Sequence, residues 1–394
     1  MNLESNDKIK AYIRLHREEN VRLLALKRDG FTADEHLYVL QQIAGWQIAK
    51  KKVPSWAENE AVIYPVHLSL EQCSSEETAK YKQSIIGEGD VYADLTGGMG
   101  VDFSFVARNF KHSYYVEQNE DLCDLAQQNL SSLGVSNFEV CHQAMETFLS
   151  DNKQFSTVFI DPARRDEAGK KVVSINDCSP NLLEWKERLL EVSPSVWIKY
   201  SPMLDISLAI KELGNVKELH IVSLNNECKE LLFQLTREKS DDVRVKCVNL
   251  GKKEESLTYS LAEETACLAR YATEMGRYLY EPNASVMKAG AFKILSKRFP
   301  VKKLAASSHL YTSDERIEDF PGRSFEVEST FSMNKKELKE HLGDCKKANI
   351  TVRNFPLTVN QLREKLKIGE GGEVYLFATT LGDKKVLVKA KKVV

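Results

Sequence analysis

The chain has no C-x-x-C pair. Its eight cysteines (Cys73, Cys123, Cys141, Cys178, Cys228, Cys247, Cys267 and Cys345) are scattered, which argues against a zinc site and against a disulfide framework. No apolar run approaches the roughly 20 residues that a membrane span needs. The opening M-N-L-E-S-N-D-K-I-K has no apolar core and no cleavage pattern, so the expectation is a cytoplasmic protein without a membrane partner. The eight histidines form no H-E-x-x-H, and neither G-x-S-x-G nor G-K-[ST] occurs. Metalloenzyme, hydrolase and nucleoside triphosphatase readings lose their support, and no metal is expected.

What is present is an ordinary globular balance, 42% hydrophobic and 28% charged, over 394 residues. That length suggests two or three compact units. The net charge of -2 conceals an asymmetry. From Phe331 to Val394 there are 14 basic against 7 acidic side chains, a surplus of +7, while the first 330 residues carry 41 against 50. A basic terminal segment on an acidic body points mildly to a polyanion and equally to a solvated lysine-rich face.

Residues 1–75 read as helical. Apolar positions recur at three- and four-residue spacing from Asp7 to Lys27, and the D-G pair at 29–30 ends the run. A second helix starts at T-A-D-E, with Thr32 and Glu35 as a capping box, and extends to the lysines before Pro54. A packing or partner-binding role is expected for both. Residues 76–255 alternate β-branched runs with helical stretches, which implies a parallel sheet covered on both faces. The strands are V-Y-A-D-L, S-Y-Y-V-E, F-E-V-C-H, T-V-F-I-D, S-V-W-I-K-Y, E-L-H-I-V-S and R-V-K-C-V-N. A helical connection over 255–285 leads into a smaller α+β unit at 275–394, closed by a hairpin around L-G-D-K.

The chemistry concentrates at V-Y-A-D-L-T-G-G-M-G-V-D-F, residues 91–103. Glycines directly after a strand let the backbone approach a ligand, and the next helix offers free N–H groups. A dinucleotide fingerprint would require glycine at 103, where Phe103 stands. Asp94, before Gly97, Gly98 and Gly100, would repel a pyrophosphate but can hold an amine. Glu117 ends the next strand, twenty residues beyond Gly97, where a carboxylate can accept both hydroxyls of a ribose. A ribose, a cationic amino-acid end and no phosphate describe S-adenosylmethionine.

The stretch resembles the first two motifs of class I S-adenosylmethionine-dependent methyltransferases, and T-V-F-I-D-P-A-R-R (157–165) falls where that family carries its fourth motif. The resemblance implies an α/β, Rossmann-like doubly wound sheet. It implies that Asp94, Gly97, Gly98 and Gly100 line the methionine end of the cofactor, Glu117 its ribose, and Gln143 and Ala144 the adenine edge. More narrowly, D-P-A-R-R, W-I-K-Y-S-P-M-L-D, Y-E-P-N-A, N-I-T-V-R-N-F and E-G-G-E-V-Y-L-F-A-T resemble bacterial methyltransferases with a THUMP-like, ferredoxin-like C-terminal unit. True THUMP domains bind RNA, so the resemblance implies an RNA substrate docked by the basic C-terminal region.

Methyl transfer is an in-line displacement, and the protein's main task is alignment. Asp161 and Pro162 at a strand end are placed to accept hydrogen bonds from an exocyclic amine. Ala163 and Arg164 stand where amine-methylating enzymes usually place a proline and a base-stacking aromatic. Of Arg164 and Arg165, one can grip a substrate phosphate and the other can brace Asp161 or another carboxylate, with structural salt bridges as the plainer use. Arg164 is the catalytic candidate; Arg165 and Lys199 are the substrate-binding ones, with Ser201 near the same rim. Cys178 reads as a structural thiol, and Ser74 and Ser75 as helix caps. Two alternatives stay open: a non-catalytic RNA-binding protein that retains the fold, and a methyltransferase for a small molecule or protein.

Overall fold

A computed structural model describes residues 6–27, 30–65, 70, 72–151, 153–164 and 175–393. The chain divides into two compact units. The first holds residues 1–216 and 232–239, the second 217–231 and 240–394. Among the described residues no helix is long and apolar enough to cross a membrane.

The first unit begins with helices. α1 (Asp7–His16) is capped by Asn6. The periodic run then breaks where a single helix was expected, because the Asn20 side chain accepts from the Arg22 N–H at 2.9 Å and starts a new turn, Val21–Leu24. α2 (Ala33–Lys52) opens on the anticipated capping box of Thr32 and Glu35. α3 (Glu76–Ile86) is capped by Ser75, whose hydroxyl accepts from Thr78 N–H at 3.3 Å. Ser74 instead turns inward to Asp102, so only one of the two serines is a cap.

Five parallel strands follow: β1 (Gly89–Asp94), β2 (Phe110–Glu117), β3 (Phe138–His142), β4 (Thr157–Ile160) and β5 (Ser195–Tyr200). They lie in the order β3-β2-β1-β4-β5, all parallel where paired. The order reverses direction between β1 and β4, which opens a crevice beyond the carboxyl ends of those two strands. Helices α4 (Val101–Val106), α5 (Glu120–Ser132), α6 (Leu182–Val192) and α7 (Ile206–Leu213) connect the strands. The N-terminal helices pack onto the glycine loop: Trp46, Ala49, Val53 and Trp56 share one apolar cluster with Met99 and Val101. The indole N–H of Trp56 donates to the Ser104 hydroxyl in α4 (3.3 Å).

β6 (Val216–Leu224), which contains the expected strand E-L-H-I-V-S, forms a hairpin with β7 (Glu227–Thr236), a strand that the sequence reading missed, with Asn225 and Asn226 both at positive φ. The second half of β7 continues the first unit's sheet next to β5, while its first half belongs with β6 in the second unit. In that second unit β8 (Arg244–Leu250) runs parallel to β6 and antiparallel to β9 (Glu255–Ser260). Where a helical connection was expected, the chain therefore has a strand, β9, then the short helix Leu261–Ala266 and a further strand, β10 (Tyr278–Pro282).

The second unit's other sheet has seven strands: β10, β11 (Lys302–Lys303), β12 (Tyr311–Ser313), β13 (Gly322–Phe331), β14 (Lys347–Val352), β15 (Gly369–Leu381) and β16 (Lys384–Lys392), in the order β11-β12-β10-β13-β16-β15-β14. Helices Lys335–Leu342 and Val359–Leu366 fall where expected and cover an apolar cluster that includes Leu342, Leu362, Leu376 and Leu387. Buried Glu281 accepts from Arg323 and from Arg353 (2.9 Å), so two of the quoted C-terminal motifs, Y-E-P-N-A and N-I-T-V-R-N-F, meet in one ion triad.

Candidate cofactor and substrate site

Parallel pairing sets Asp94 of β1 opposite Phe159 of β4 and Tyr115 of β2. The chain leaving β1 is then pinned on both sides. Leu95 N–H donates to Phe159 O (3.0 Å) and Gly97 N–H to Val116 O (2.9 Å). Gly97 is required by closeness: a β-carbon there would meet the ring of buried Tyr115 at 2.2 Å. Gly100 is required by conformation, since it precedes α4 with φ +76°. The Tyr115 hydroxyl donates to Gly98 O, which fixes the loop crest over β2.

Two carboxylates flank this loop. Asp94 is 2% exposed, and one of its oxygens accepts from Thr96 N–H (3.1 Å). Among the described residues no lysine, arginine or histidine is within ion-pair distance of it. Burial chiefly, and then the nearby charges of Asp102, Asp161 and Glu117, push its carboxyl up to about 8. A buried carboxylate without a cation is costly, and a cationic ligand would relieve that cost. Glu117 is held by backbone donors: Gly98 N–H gives to Oε2 (2.9 Å) and Asn119 N–H to Oε1 (3.0 Å). Each oxygen keeps a further lone pair, as the two hydroxyls of a ribose would need. The residues present thus fit a cofactor with an amine and a ribose.

Gln143 and Ala144 follow β3 on the same side of the sheet's carboxyl ends. Gln143 N–H donates to Glu117 O (3.0 Å), and Ala144 starts the short helix Met145–Phe148. The strand ends of β1, β2 and β3 therefore bring together Asp94, Gly97, Gly98, Gly100, Glu117, Gln143 and Ala144.

On the other side of the crevice, Thr96 joins the glycine loop to the D-P-A-R-R segment. Its hydroxyl accepts from Asp161 N–H at 2.6 Å. The register of β4 with β5 pairs Ile160 with Ile198, which brings Lys199 beside Asp161, and the ammonium forms an ion pair with that carboxylate. Lys199, expected at this rim as a substrate-binding residue, thus braces Asp161, a role the sequence also offered to one of the two arginines, for Asp161 or another carboxylate. Thr96 was missed altogether, although its place between Asp94 and the first glycine was visible in D-L-T-G-G.

Pro162 is buried, and Ala163–Arg164 forms a two-residue antiparallel ribbon with Cys178–Ser179. Only the backbone of Arg164 is described, and Arg165 lies outside the described residues. Cys178 is 4% exposed, in keeping with a structural thiol. Ser201 closes the turn after β5 by accepting from Met203 N–H (3.2 Å).

A buried ion pair supports the loop from behind. Lys82 of α3, fully buried, lies 3.1 Å from Asp102 in the first turn of α4, and Ser74 donates to the same carboxylate at 2.7 Å. Among the described residues no group of histidine, cysteine, aspartate and glutamate side chains has the geometry to hold a metal ion.

Three family models match this chain. One described as conserved hypothetical protein 95 covers residues 80–218, a ferredoxin-like domain covers 278–321, and a THUMP domain-like model covers 322–392. Among solved structures, a "putative methyltransferase" from Porphyromonas gingivalis W83 is 31% identical, covers 98% of both chains and superposes with a TM-score of 0.88. An rRNA methylase from Streptococcus thermophilus is 17% identical over 41% of this chain and 95% of its own, with a TM-score of 0.30. No curated protein matches the sequence significantly.

Proposed function

Because the chain belongs to the family of that Porphyromonas gingivalis protein, with a class I methyltransferase-like fold and a THUMP-like C-terminal unit, we propose that it methylates a base of RNA, tRNA or rRNA. The methyl donor is S-adenosylmethionine, which supplies an electrophilic methyl group on a sulfonium. The observation that carries this reading is the buried carboxyl group of Asp94, without a cationic partner among the described residues, on one side of the glycine loop, with Glu117 held by Gly98 on the other.

In this reading Asp94 pairs with the cofactor's amine, and Glu117 takes the ribose hydroxyls. Gln143 and Ala144 border the adenine. Asp161 accepts a hydrogen bond from the nucleophile, while Thr96 fixes its backbone and Lys199 fixes its carboxylate. Holding the acceptor in one orientation favours the in-line geometry that displacement at carbon requires. Pro162 shapes the strand end, and Arg164 and Arg165 are the candidates for a substrate phosphate. Support for RNA comes from the +7 surplus after residue 330 and the THUMP domain-like match over residues 322–392.

The test is mass spectrometry of modified nucleosides in total RNA from a strain lacking the gene. One methylated nucleoside should disappear and return with the wild-type gene, but not with the Asp94→Ala variant. An unchanged nucleoside profile, with a methylated protein or metabolite lost instead, would overturn the RNA assignment.

A further inference from the structure

The methyltransferase reading leaves a second concavity in the first unit unexplained. It is a cleft of about 360 Å³ beside α1, walled by Ile9, Ile13, Trp46, Val62 and Tyr64. That volume lies in the range of small-molecule sites, and the walls are apolar and aromatic. Its rim is different. Lys10, Arg14 and Arg17 recur at i, i+4 and i+7, so they form one cationic stripe along about 10 Å of helix, next to the apolar pair Ile9 and Ile13. Among the described residues Glu60 is the single acidic side chain lining the cleft, and Arg14 pairs with it at 2.8 Å. Among the described residues Lys10 and Arg17 have no ion-pair partner. The Arg17 guanidinium lies over the Trp46 ring, 4.5 Å from its centroid, which holds it beside the cleft.

An apolar slot bordered by a guanidinium and by a cationic row, of which Arg14 alone is paired among the described residues, matches a planar base joined to an anion. We propose that this cleft binds one nucleotide of a single-stranded RNA, its base entering between Arg17 and the apolar walls and its phosphates lying along Lys10 and Arg14. The proposal rests on the RNA reading above and specifies a second place where the RNA is held. The basic row from α1 is matched to the phosphates by charge, and the buried polar groups of the floor are already satisfied: the Gln42 amide exchanges two hydrogen bonds with the Tyr64 backbone, each 2.9 Å. Gln42 is thus committed to the fold and not to a base edge, and binding by stacking and charge is expected to be sequence-tolerant.

Fluorescence anisotropy of the full chain with a labelled single-stranded RNA 12-mer, over a range of salt, tests this. Arg17→Ala should weaken binding about tenfold, the order expected for one stacked base. Lys10→Glu, at an exposed position, should lower the slope of log affinity against log salt by about 0.7, one phosphate contact on a single strand. Both variants should keep the wild-type melting temperature and S-adenosylmethionine affinity. A control, Lys346→Glu with Lys347→Glu, probes the basic C-terminal region. If the control weakens RNA binding while both cleft variants match the wild type, the cleft proposal fails and the RNA reading stands. If the wild type binds no RNA, both fail. A free nucleoside monophosphate that binds more tightly than the 12-mer, with that binding lost in Arg17→Ala, would show a free nucleotide as the occupant and overturn the RNA assignment of the cleft.

Discussion

With Asp94 holding the cofactor's amine, as proposed, cofactor affinity is expected to depend on pH. The Asp94 carboxyl is raised to about 8 by burial and by neighbouring carboxylates, so in the free protein at pH 6 only about one molecule in a hundred has it ionised. Pairing with an ammonium requires the ionised form, so below pH 8 binding must expel a proton. Affinity should then rise close to tenfold from pH 6 to 7 and level off toward pH 8. Above pH 8 an ordinary α-amino group, with a pKa of about 7.7–8.0, begins to lose its own proton, and affinity should fall again. The expected profile is a maximum near pH 8. Isothermal titration of S-adenosylmethionine in buffers of different ionisation enthalpy should detect release of about one proton per cofactor at pH 6.5. Asp94→Asn should abolish the acidic limb and weaken binding at pH 8 by about 1.5–3 kcal/mol, the value of a hydrogen bond to a charged group. Equal affinity of the wild type at pH 6 and pH 8, or the same profile in Asp94→Asn, would show that Asp94 does not pair with the cofactor's amine.

The same raised carboxyl predicts the stability of the free protein. Between about pH 4 and pH 8 the folded chain holds a proton that the unfolded chain has released, so this group's contribution to stability falls as pH rises through that window. Free Asp94→Asn should therefore melt progressively higher than wild type from pH 5 to 8, with a constant difference beyond; melting curves across pH check this. Gly97→Ala forces a methyl group into the buried Tyr115 ring and should cost about 1–3 kcal/mol in chemical denaturation, together with loss of cofactor binding. Lys82→Met strands the Asp102 carboxylate behind the loop and should cost about 3 kcal/mol or more, largely recovered by adding Asp102→Leu. Lys199→Met should leave cofactor affinity near wild type and lower the methylation rate, with partial recovery in Lys199→Arg, as measured by single-turnover methyl transfer.

The first five strands and the glycine loop were legible because a parallel sheet buried on both faces writes itself as short β-branched runs, and because Asp94 and Glu117 sit at the ends of two of them. The β6–β7 hairpin was not. Its turn is Asn225–Asn226 in place of Asn-Gly, and β7 carries a continuous buried run, Glu230 to Phe233, that shows no alternation. The strand β10 was hidden for a similar reason, since Tyr278–Pro282 ends in a proline and is buried nearly throughout. At the site, the sequence placed Asp161 and Lys199 at the same rim but could not show that they pair, because that follows from the register of β4 on β5. Thr96 and Lys82 act through contacts with Asp161 and Asp102, residues 65 and 20 positions away, and no local pattern announces such contacts.

In the proposed function the loop between Asp94 and Glu117 receives S-adenosylmethionine. Calorimetric titration of the cofactor into the full chain at pH 8 tests it most directly. One site per chain is expected, with affinity lost in the Asp94→Ala, Glu117→Ala double variant while its fold is retained. Absence of binding by the wild type, or equal binding by the double variant, would contradict it.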